Sequence, residues 1–205
     1  EPGHQVRSNR ESGRGRPDVL IRPTQPGHAG ALAAIECASQ AAVGHRADLQ
    51  RRLAFWREAG SDRWYKKDGA FDDEVRRRYL GLWHEAAAGR LSCWEASDDG
   101  ALALTIVLDQ FPRNMFRGDA STYATDTLAR DVAGRAIDRG SDARIDPVLL
   151  EFLYMPFMHS EYLADQLRCV ELFRKSGNAD NLKYAERHAD IVRRFGRFPH
   201  RNPVL

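Results

Sequence analysis

Three charged residues follow one another at four-residue steps near the middle of the chain, at the end of its longest apolar run. The segment LDQFPRNMFRG contains Asp109, Arg113 and Arg117. In a continuous helix this spacing places one acid and two guanidinium groups on the same face. Because a guanidinium can bind a carboxylate or phosphate through two parallel hydrogen bonds, the face is a candidate anion site. Asp109 could equally pair with Arg113 and leave no donor free, and the spacing does not decide between the two.

Pro112 gives the same segment a purely structural interpretation. A proline removes a backbone donor and clashes with the carbonyl four residues earlier, which here belongs to Leu108. The segment therefore predicts that the helix kinks or ends at this point. The freed carbonyl groups would need donors, and Arg113, Asn114 and Arg117 could supply them. On this interpretation the polar residues complete a helix end and bind no ligand.

A second Phe-Pro pair with similar polar neighbours lies near the last residue of the sequence. The segment GRFPHRN occupies residues 196–202. His200 is a candidate proton donor or acceptor, because the ordinary pKa of an imidazole lies near neutrality. The surrounding basic residues form either a solvated basic face or one wall of an anion pocket: Arg193, Arg194, Arg197 and Arg201.

The segment MPFMHSEYLADQ is the third candidate. Ser160 suits an N-cap and Glu161 suits the first turn of the helix that follows, so both have a structural role. His159 has no such role and could be a surface residue, a proton carrier or a ligand. His188 lies on an apolar stripe, where a hydrogen-bonded core histidine is the commoner case. A zinc site needs three or four ligands, and the sequence has no HExxH or comparable spacing, so no metal is predicted.

Amphipathic periodicity accounts for nearly all of the chain after Asp48. Apolar residues recur at helical spacing in seven successive segments, and none alternates convincingly with period two. The segment DDGALALTIVLDQF is apolar nearly all round and should be the most buried helix. Asp72 and Asp119 are predicted N-caps. The pattern predicts an all-α fold of about seven antiparallel helices, arranged as stacked helical hairpins or as an irregular bundle.

Composition excludes several classes of function. The 31 basic and 29 acidic residues give a formal net charge of +2, so nucleic-acid binding receives no support from bulk charge. No apolar run is long enough to span a membrane. The sequence lacks a Walker loop, a G-x-G-x-x-G turn and a G-x-S-x-G elbow, so no cofactor is predicted. Three widely spaced cysteines favour a reducing, cytoplasmic compartment.

The composition of the chain divides it into two regions. Residues 1–46 are rich in arginine, glycine and proline, which is typical of a flexible tail, and ALAAIECASQAAV within them could form a short helix. Residues 47–205 are predicted to form a single helical domain.

Taken together, ALALTIVLDQFPRNMFRGDAS, FLYMPFMHSEYLADQ and RHADIVRRFGRFPHRNPVL resemble a bacterial family known as domain of unknown function 924. The resemblance runs from about residue 49 to residue 205 and implies an all-helical, tetratricopeptide-like fold. It also implies a short polar stretch after residue 205, and it implies no activity. The signature segments LDQFPRN, HSE and FGRFPHRN correspond here to Asp109, Gln110, Arg113, Asn114, Arg117, His159, Ser160, Glu161, Arg197, His200, Arg201 and Asn202.

These signatures lead us to expect one polar pocket that binds a small anionic ligand or an acidic peptide group. His159 and His200 would face the ligand, and Asn202 belongs to the same predicted set. Three residues would orient the guanidinium groups: Asp109, Asn114 and Glu161. Four arginines would bind the anion: Arg113, Arg117, Arg197 and Arg201.

Two alternatives stay open at the level of sequence. The same pocket could belong to a hydrolase-type enzyme with His159 or His200 as general acid or base, its arginines stabilising developing negative charge. Alternatively, the protein is a scaffold in which these polar residues only complete helix ends.

Overall fold

The computed structural model describes residues 44–204, with side chains from residue 47 onward, and this range contains seven α-helices and no strand. The prediction of an all-α fold is confirmed. Four short 3-10 helices lie between or after the α-helices: Ser92–Ala96, Ala120–Tyr123, Ser141–Ala143 and Pro199–Arg201. The α-helices are α1 (Gly44–Trp64), α2 (Gly69–Ala87), α3 (Asp98–Met115), α4 (Asp126–Asp138), α5 (Glu151–Met158), α6 (Leu163–Ser176) and α7 (Ala179–Phe195).

Helix α1 differs from the sequence-based expectation at both ends. It begins at Gly44, so it includes the last three residues of the predicted tail. The rest of that tail, with its expected short helix, lies outside the described residues. The segment DLQRRLAFWREAG predicts a helix that ends at Gly60, but the structure has a break there, where φ is 66° and ψ is 172°, a conformation open to glycine because it has no Cβ. The turn after the break carries Trp64, whose Nε1 donates to the carbonyl of Trp56 at 2.7 Å.

Helix α3 is the centre of the fold. All residues from 100 to 112 are buried, and α1, α2, α4 and α5 contact this helix. A helix that is apolar on every side needs such neighbours, because otherwise it would expose apolar surface to water. The expectation that this segment forms the most buried helix agrees with the structure. One consequence is that Asp109, which lies on this helix, has a carboxylate with no exposed surface.

A kink or an end of the helix was predicted at Pro112; α3 does not end there and continues for three more residues. The carbonyl of Leu108 loses its backbone donor to the proline, but the hydroxyl of Thr125 donates to it at 2.6 Å. The same hydroxyl accepts the indole N–H of Trp83 at 3.1 Å. A side chain from another segment thus satisfies the orphaned carbonyl, and the prediction of a helix end did not include this partner. Asp109 and Arg113 keep their helical spacing across the proline, whereas Arg117 lies two residues after the end of α3.

One of the two N-cap predictions fails, and the other holds for a 3-10 helix. Asp68 caps α2 by accepting hydrogen bonds from the backbone of Ala70 and Phe71, at 3.1 and 3.2 Å. Asp119 caps the 3-10 helix Ala120–Tyr123, and α4 begins only later. The carboxylate of Asp72, in the first turn of α2, is thereby available for contacts with other parts of the chain.

Replacing Thr125 with valine should destabilise the protein by about 1–3 kcal/mol, because it leaves the Leu108 carbonyl and the Trp83 N–H buried without partners. Thr105→Val is a matched control on α3. The Thr105 hydroxyl donates to the Ala101 carbonyl at 2.8 Å, and that carbonyl keeps its backbone donor inside the helix. Urea denaturation of both variants measures the difference. Equal losses would mean that the Thr125 bridge does not support α3.

Candidate functional site

The three signature segments meet at one cavity of about 740 Å³. It lies between the C-terminal part of α3, the end of α5, one side of α7 and the final 3-10 helix. The first segment contributes Gln110, Arg113, Asn114 and Arg117 to the lining, the second contributes His159, and the third contributes His200 and Arg201.

Four predicted ligand-binding residues do not line this cavity. Arg197 and Asn202 are exposed on either side of the final 3-10 helix. Within that helix, His200 and Arg201 line the cavity. Asp109 lies behind the wall, fully buried. Glu161 was expected to orient a guanidinium, but its Oε1 accepts a hydrogen bond from the backbone N–H of Phe198 at 2.8 Å. It therefore positions the C-terminal segment.

Asp109 anchors the site from inside α3. Its carboxylate accepts hydrogen bonds from His159 Nδ1 at 2.8 Å and from Gln110 Nε2 at 2.6 Å, and it lies 3.2 Å from Arg113 Nη1. Burial alone would raise the pKa of Asp109, but the positive charge of Arg113 and the hydrogen bonds outweigh burial and lower it. Asp109 is therefore ionised and can only accept, so Nδ1 of His159 carries the proton. In the neutral form of this ring the lone pair is on Nε2.

Arg113 is held against the cavity wall by two carboxylates. Asp126, at the start of α4, accepts from its two terminal nitrogens at 2.9 and 3.1 Å, a bidentate geometry. Arg113 Nη1 also donates to the backbone carbonyl of Asp109 at 2.6 Å. Burial would lower the pKa of Arg113, but the charges of Asp109 and Asp126 raise it above its ordinary value. The guanidinium is thus a fixed cation.

Asn114 and Arg117 share a third carboxylate, that of Asp72. Asn114 Nδ2 donates to Asp72 at 2.8 Å, and Arg117 donates through Nε and Nη2 at 2.6 and 3.1 Å. Asn114 was expected to orient a guanidinium, but it donates to a carboxylate instead. The shared carboxylate ties the first turn of α2 to the C-terminal end of α3.

Arg201 is less fully compensated than the other arginines of the cavity. It is only 6% exposed, its Nη2 donates to the carbonyl of His159 at 2.8 Å, and its Nη1 lies 3.6 Å from Asp126. The guanidinium carbon is 4.4 Å from the ring centre of Tyr123 and 4.8 Å from that of Phe198. Its buried Nε has no hydrogen-bond partner. Burial lowers the pKa of Arg201, and the attraction of Asp126 does not restore it.

Two further histidines line the cavity, His188 and His200. His188 Nδ1 donates to the carbonyl of Tyr184 at 2.7 Å, so it is hydrogen-bonded as expected, but it lies on the cavity wall and not in the core. Burial lowers the pKa of both rings, and the charge of Arg201 lowers that of His200 further. Both imidazoles are therefore neutral at pH 7.

The residues that line the cavity and the residues behind them carry opposite charges. The described residues that line it include three arginines and no carboxylate. The acids that pair with these arginines approach from behind: Asp72, Asp109 and Asp126. The charged side chains that face the cavity are therefore all cationic, and their counter-ions lie outside the lining.

Sequence analysis missed Asp72 and Asp126, although both hold the arginines in place. Each lies in the first turn of a helix, where an acid is already explained by its interaction with the helix dipole. Their partners lie 45 and 13 residues away along the chain, for Arg117 and Arg113 respectively. Spacing along one helix could not reveal such pairs.

Within residues 47–204, no group of three or more His, Cys, Asp or Glu side chains is arranged to hold a metal ion. None of the seven helices has the length and hydropathy required to cross a bilayer, as judged over the same part of the chain.

The geometry defines an all-helical protein with an arginine-lined cavity, and comparison places it in a family. The model of the family described as "Bacterial protein of unknown function (DUF924)" matches residues 53–205, and the chain belongs to this family. The protein of unknown function ATU0120 from Agrobacterium tumefaciens has a similar structure, with a TM-score of 0.75 and 45% sequence identity. That match covers 78% of this chain and 90% of the other. No curated protein matches the chain.

The family resemblance read from the three signature segments is thus confirmed. A tetratricopeptide-like stacking of helical hairpins stays a prediction.

Replacing Arg113 with alanine should destabilise the protein by about 3–5 kcal/mol, because it leaves the fully buried carboxylate of Asp109 without its main counter-charge. Arg117→Ala is the control. Its guanidinium is 35% exposed, and loss of an ion pair of this kind typically changes stability by about 0–1 kcal/mol. Urea denaturation at pH 7 measures both. Similar losses for the two variants would contradict the anchoring role of Arg113.

Proposed function

We propose that this protein binds a small anionic ligand, or the carboxylate of an acidic peptide group, in the arginine-lined cavity. The observation that supports this proposal most directly is the state of Arg201. A buried charge is unfavourable unless it is paired and fully hydrogen-bonded. Arg201 has one ion pair, at 3.6 Å, so a ligand anion would supply the close counter-charge that the protein does not.

The fixed geometry of the other arginines also supports binding. Arg113 and Arg117 are each held by a carboxylate through two nitrogens, so little side-chain freedom is lost when an anion arrives. The acids Asp72 and Asp126 also neutralise these arginines when the cavity holds no anion. The wall is therefore stable without a ligand and already shaped for one.

Phosphate is a suitable first probe. We expect sodium phosphate to raise the melting temperature of the protein more than sodium chloride at equal ionic strength, because it binds the folded state. Arg201→Met should remove at least about 1.4 kcal/mol of binding free energy, which is a tenfold loss of affinity. Arg197→Met is the matched control, since Arg197 is an exposed arginine four residues away that does not line the cavity.

The same variants separate binding from a purely structural role. If the polar residues only complete helix ends, Arg201→Met should lower stability by about 1–3 kcal/mol and phosphate should act no better than chloride. If Arg201 belongs to a binding site, methionine should be tolerated, because it replaces an incompletely paired buried charge with an apolar chain. Equal phosphate affinity in Arg201→Met and Arg197→Met would rule out the proposed site.

A second function, general acid–base catalysis by His159, is favoured by one contact. Asp109 accepts the Nδ1 proton of His159, and this is how a carboxylate orients a histidine base. Among the described lining residues there is no serine or cysteine, and the hydroxyl of Thr122 donates to the carbonyl of Phe116, so water would be the nucleophile. Its oxygen would bond to the acyl or phosphoryl centre while its proton passes to Nε2. The leaving group would then take that proton, and Arg113 and Arg201 would stabilise the transient negative charge.

Turnover of p-nitrophenyl esters and of phosphate monoesters tests this second function. His159→Gln should reduce the rate by about 10²–10⁴, the usual contribution of a positioned general base. His84→Gln, on the α2 surface, is the control because it does not line the cavity. His200→Ala decides whether the other predicted histidine takes part. Phosphate binding without any wild-type turnover would reject the catalytic function and leave the binding function intact.

A further inference from the structure

The cavity has a second kind of lining that anion binding does not explain. Its volume of about 740 Å³ is in the range that holds organic ligands and far exceeds a single inorganic anion. Much of the remaining lining is aromatic or thioether in character: Trp64, Tyr65, Met155, Met158, Tyr184 and Phe198. An anion on the guanidinium groups alone would leave this apolar surface wet.

Two of these aromatic side chains are unusually exposed for their size. Tyr65 is 55% exposed and Tyr184 is 56% exposed, although both line the same cavity. Exposed apolar surface that is contiguous within a concave site commonly marks a ligand-binding face. Since aromatic rings gain from stacked and edge-to-face contacts, these rings are suited to a flat partner.

The aromatic lining is held in place before any ligand arrives. The hydroxyl of Tyr65 donates to Glu151 Oε1 at 2.5 Å, and Asn181 on α7 donates to the other oxygen of the same carboxylate. Partial burial, together with the hydrogen bond to Glu151 and the charge of that carboxylate, raises the pKa of Tyr65, so its phenol stays neutral and adds no negative charge to the cavity. Glu151 thereby ties the residue that follows α1 to the beginning of α7.

Trp64 is fixed by two independent contacts. Its indole N–H is bonded to the carbonyl of Trp56, and its ring packs edge-on against Phe152 with 4.9 Å between centroids. A ring immobilised in this way loses little conformational entropy when a ligand packs against it. Met155 and Met158 add polarisable surface that makes favourable contacts with aromatic rings.

We infer that the ligand of this cavity is an aromatic organic anion. Its carboxylate, sulfonate or phosphate group contacts Arg201 and Arg113, and its flat ring system packs against Trp64, Tyr65 and Tyr184. The inference rests on the proposed anion binding and adds the chemical class of the ligand. Charge and shape act together here, because the cavity offers cationic donors and a rigid aromatic surface within one volume.

Isothermal titration calorimetry with three probes tests the ligand class: naphthalene-2-carboxylate, acetate and naphthalene-2-methanol. We expect acetate to bind about 100-fold more weakly than the naphthoate, because it leaves the aromatic lining uncovered. The neutral alcohol should bind about tenfold more weakly, because it cannot pair with the guanidinium groups. Octanoate, an anion with a flexible aliphatic body, should also bind more weakly than the naphthoate.

Variants of α7 assign the effect to the aromatic lining. Tyr184→Ala should weaken naphthoate binding by about tenfold and leave phosphate binding unchanged. Phe195→Ala is the matched control, because Phe195 is 55% exposed on the same helix and does not line the cavity. Both side chains are on the surface, so both variants should fold. Arg201→Met should weaken the binding of naphthoate and of phosphate together.

The possible outcomes separate the two proposals. Equal affinity for naphthoate and acetate, or for naphthoate and octanoate, would overturn the aromatic inference and leave anion binding standing. Equal effects of Tyr184→Ala and Phe195→Ala would overturn it as well. A different result would overturn anion binding itself: equal affinity for the naphthoate and the neutral alcohol, together with no binding of phosphate. The ligand would then not be an anion.

Discussion

The negative charge of Asp109 inside the most apolar helix is the constraint on which the site depends. A carboxylate with no exposed surface must be surrounded by donors and cations, or it would not stay ionised. Arg113 comes from the next turn of the same helix, and His159 comes from the end of α5. The backbone of His159 in turn accepts a hydrogen bond from Arg201. Compensation of one buried charge thus links three segments that are far apart in sequence.

The acids behind the wall explain how several arginines can share one cavity. Like charges repel, and a cluster of guanidinium groups without counter-ions would oppose folding. Asp126 contacts both Arg113 and Arg201, whereas Asp72 pairs with Arg117. The counter-charge is distributed unevenly among the arginines. Arg113 lies close to two carboxylates, whereas Arg201 has a single carboxylate partner at a longer distance. The more strongly held arginines keep the wall rigid, and the weakly held one has the most to gain from a ligand.

Sequence reasoning was most successful where the physics is local. Helical periodicity was enough to predict an all-α fold, and the four-residue spacing on α3 correctly indicated that Arg113 and Asp109 are close together. It failed where a distant side chain decides the outcome. The helix passes Pro112 because Thr125 satisfies the freed carbonyl, and the rules for isolated helix ends cannot contain that partner. Asp72 was assigned to a cap for the same reason, since its actual partners are Asn114 on α3 and Arg117 just after that helix.

The break at Gly60 has an optical consequence. Of the four tryptophans, Trp56, Trp83 and Trp94 are buried, whereas Trp64, carried by the turn after the break, lines the cavity. Occupancy of the cavity therefore changes the surroundings of one indole and leaves the other three shielded. The protein contains its own fluorophore at the place where a guest would sit, and its intrinsic emission reports filling of the cavity without any attached dye.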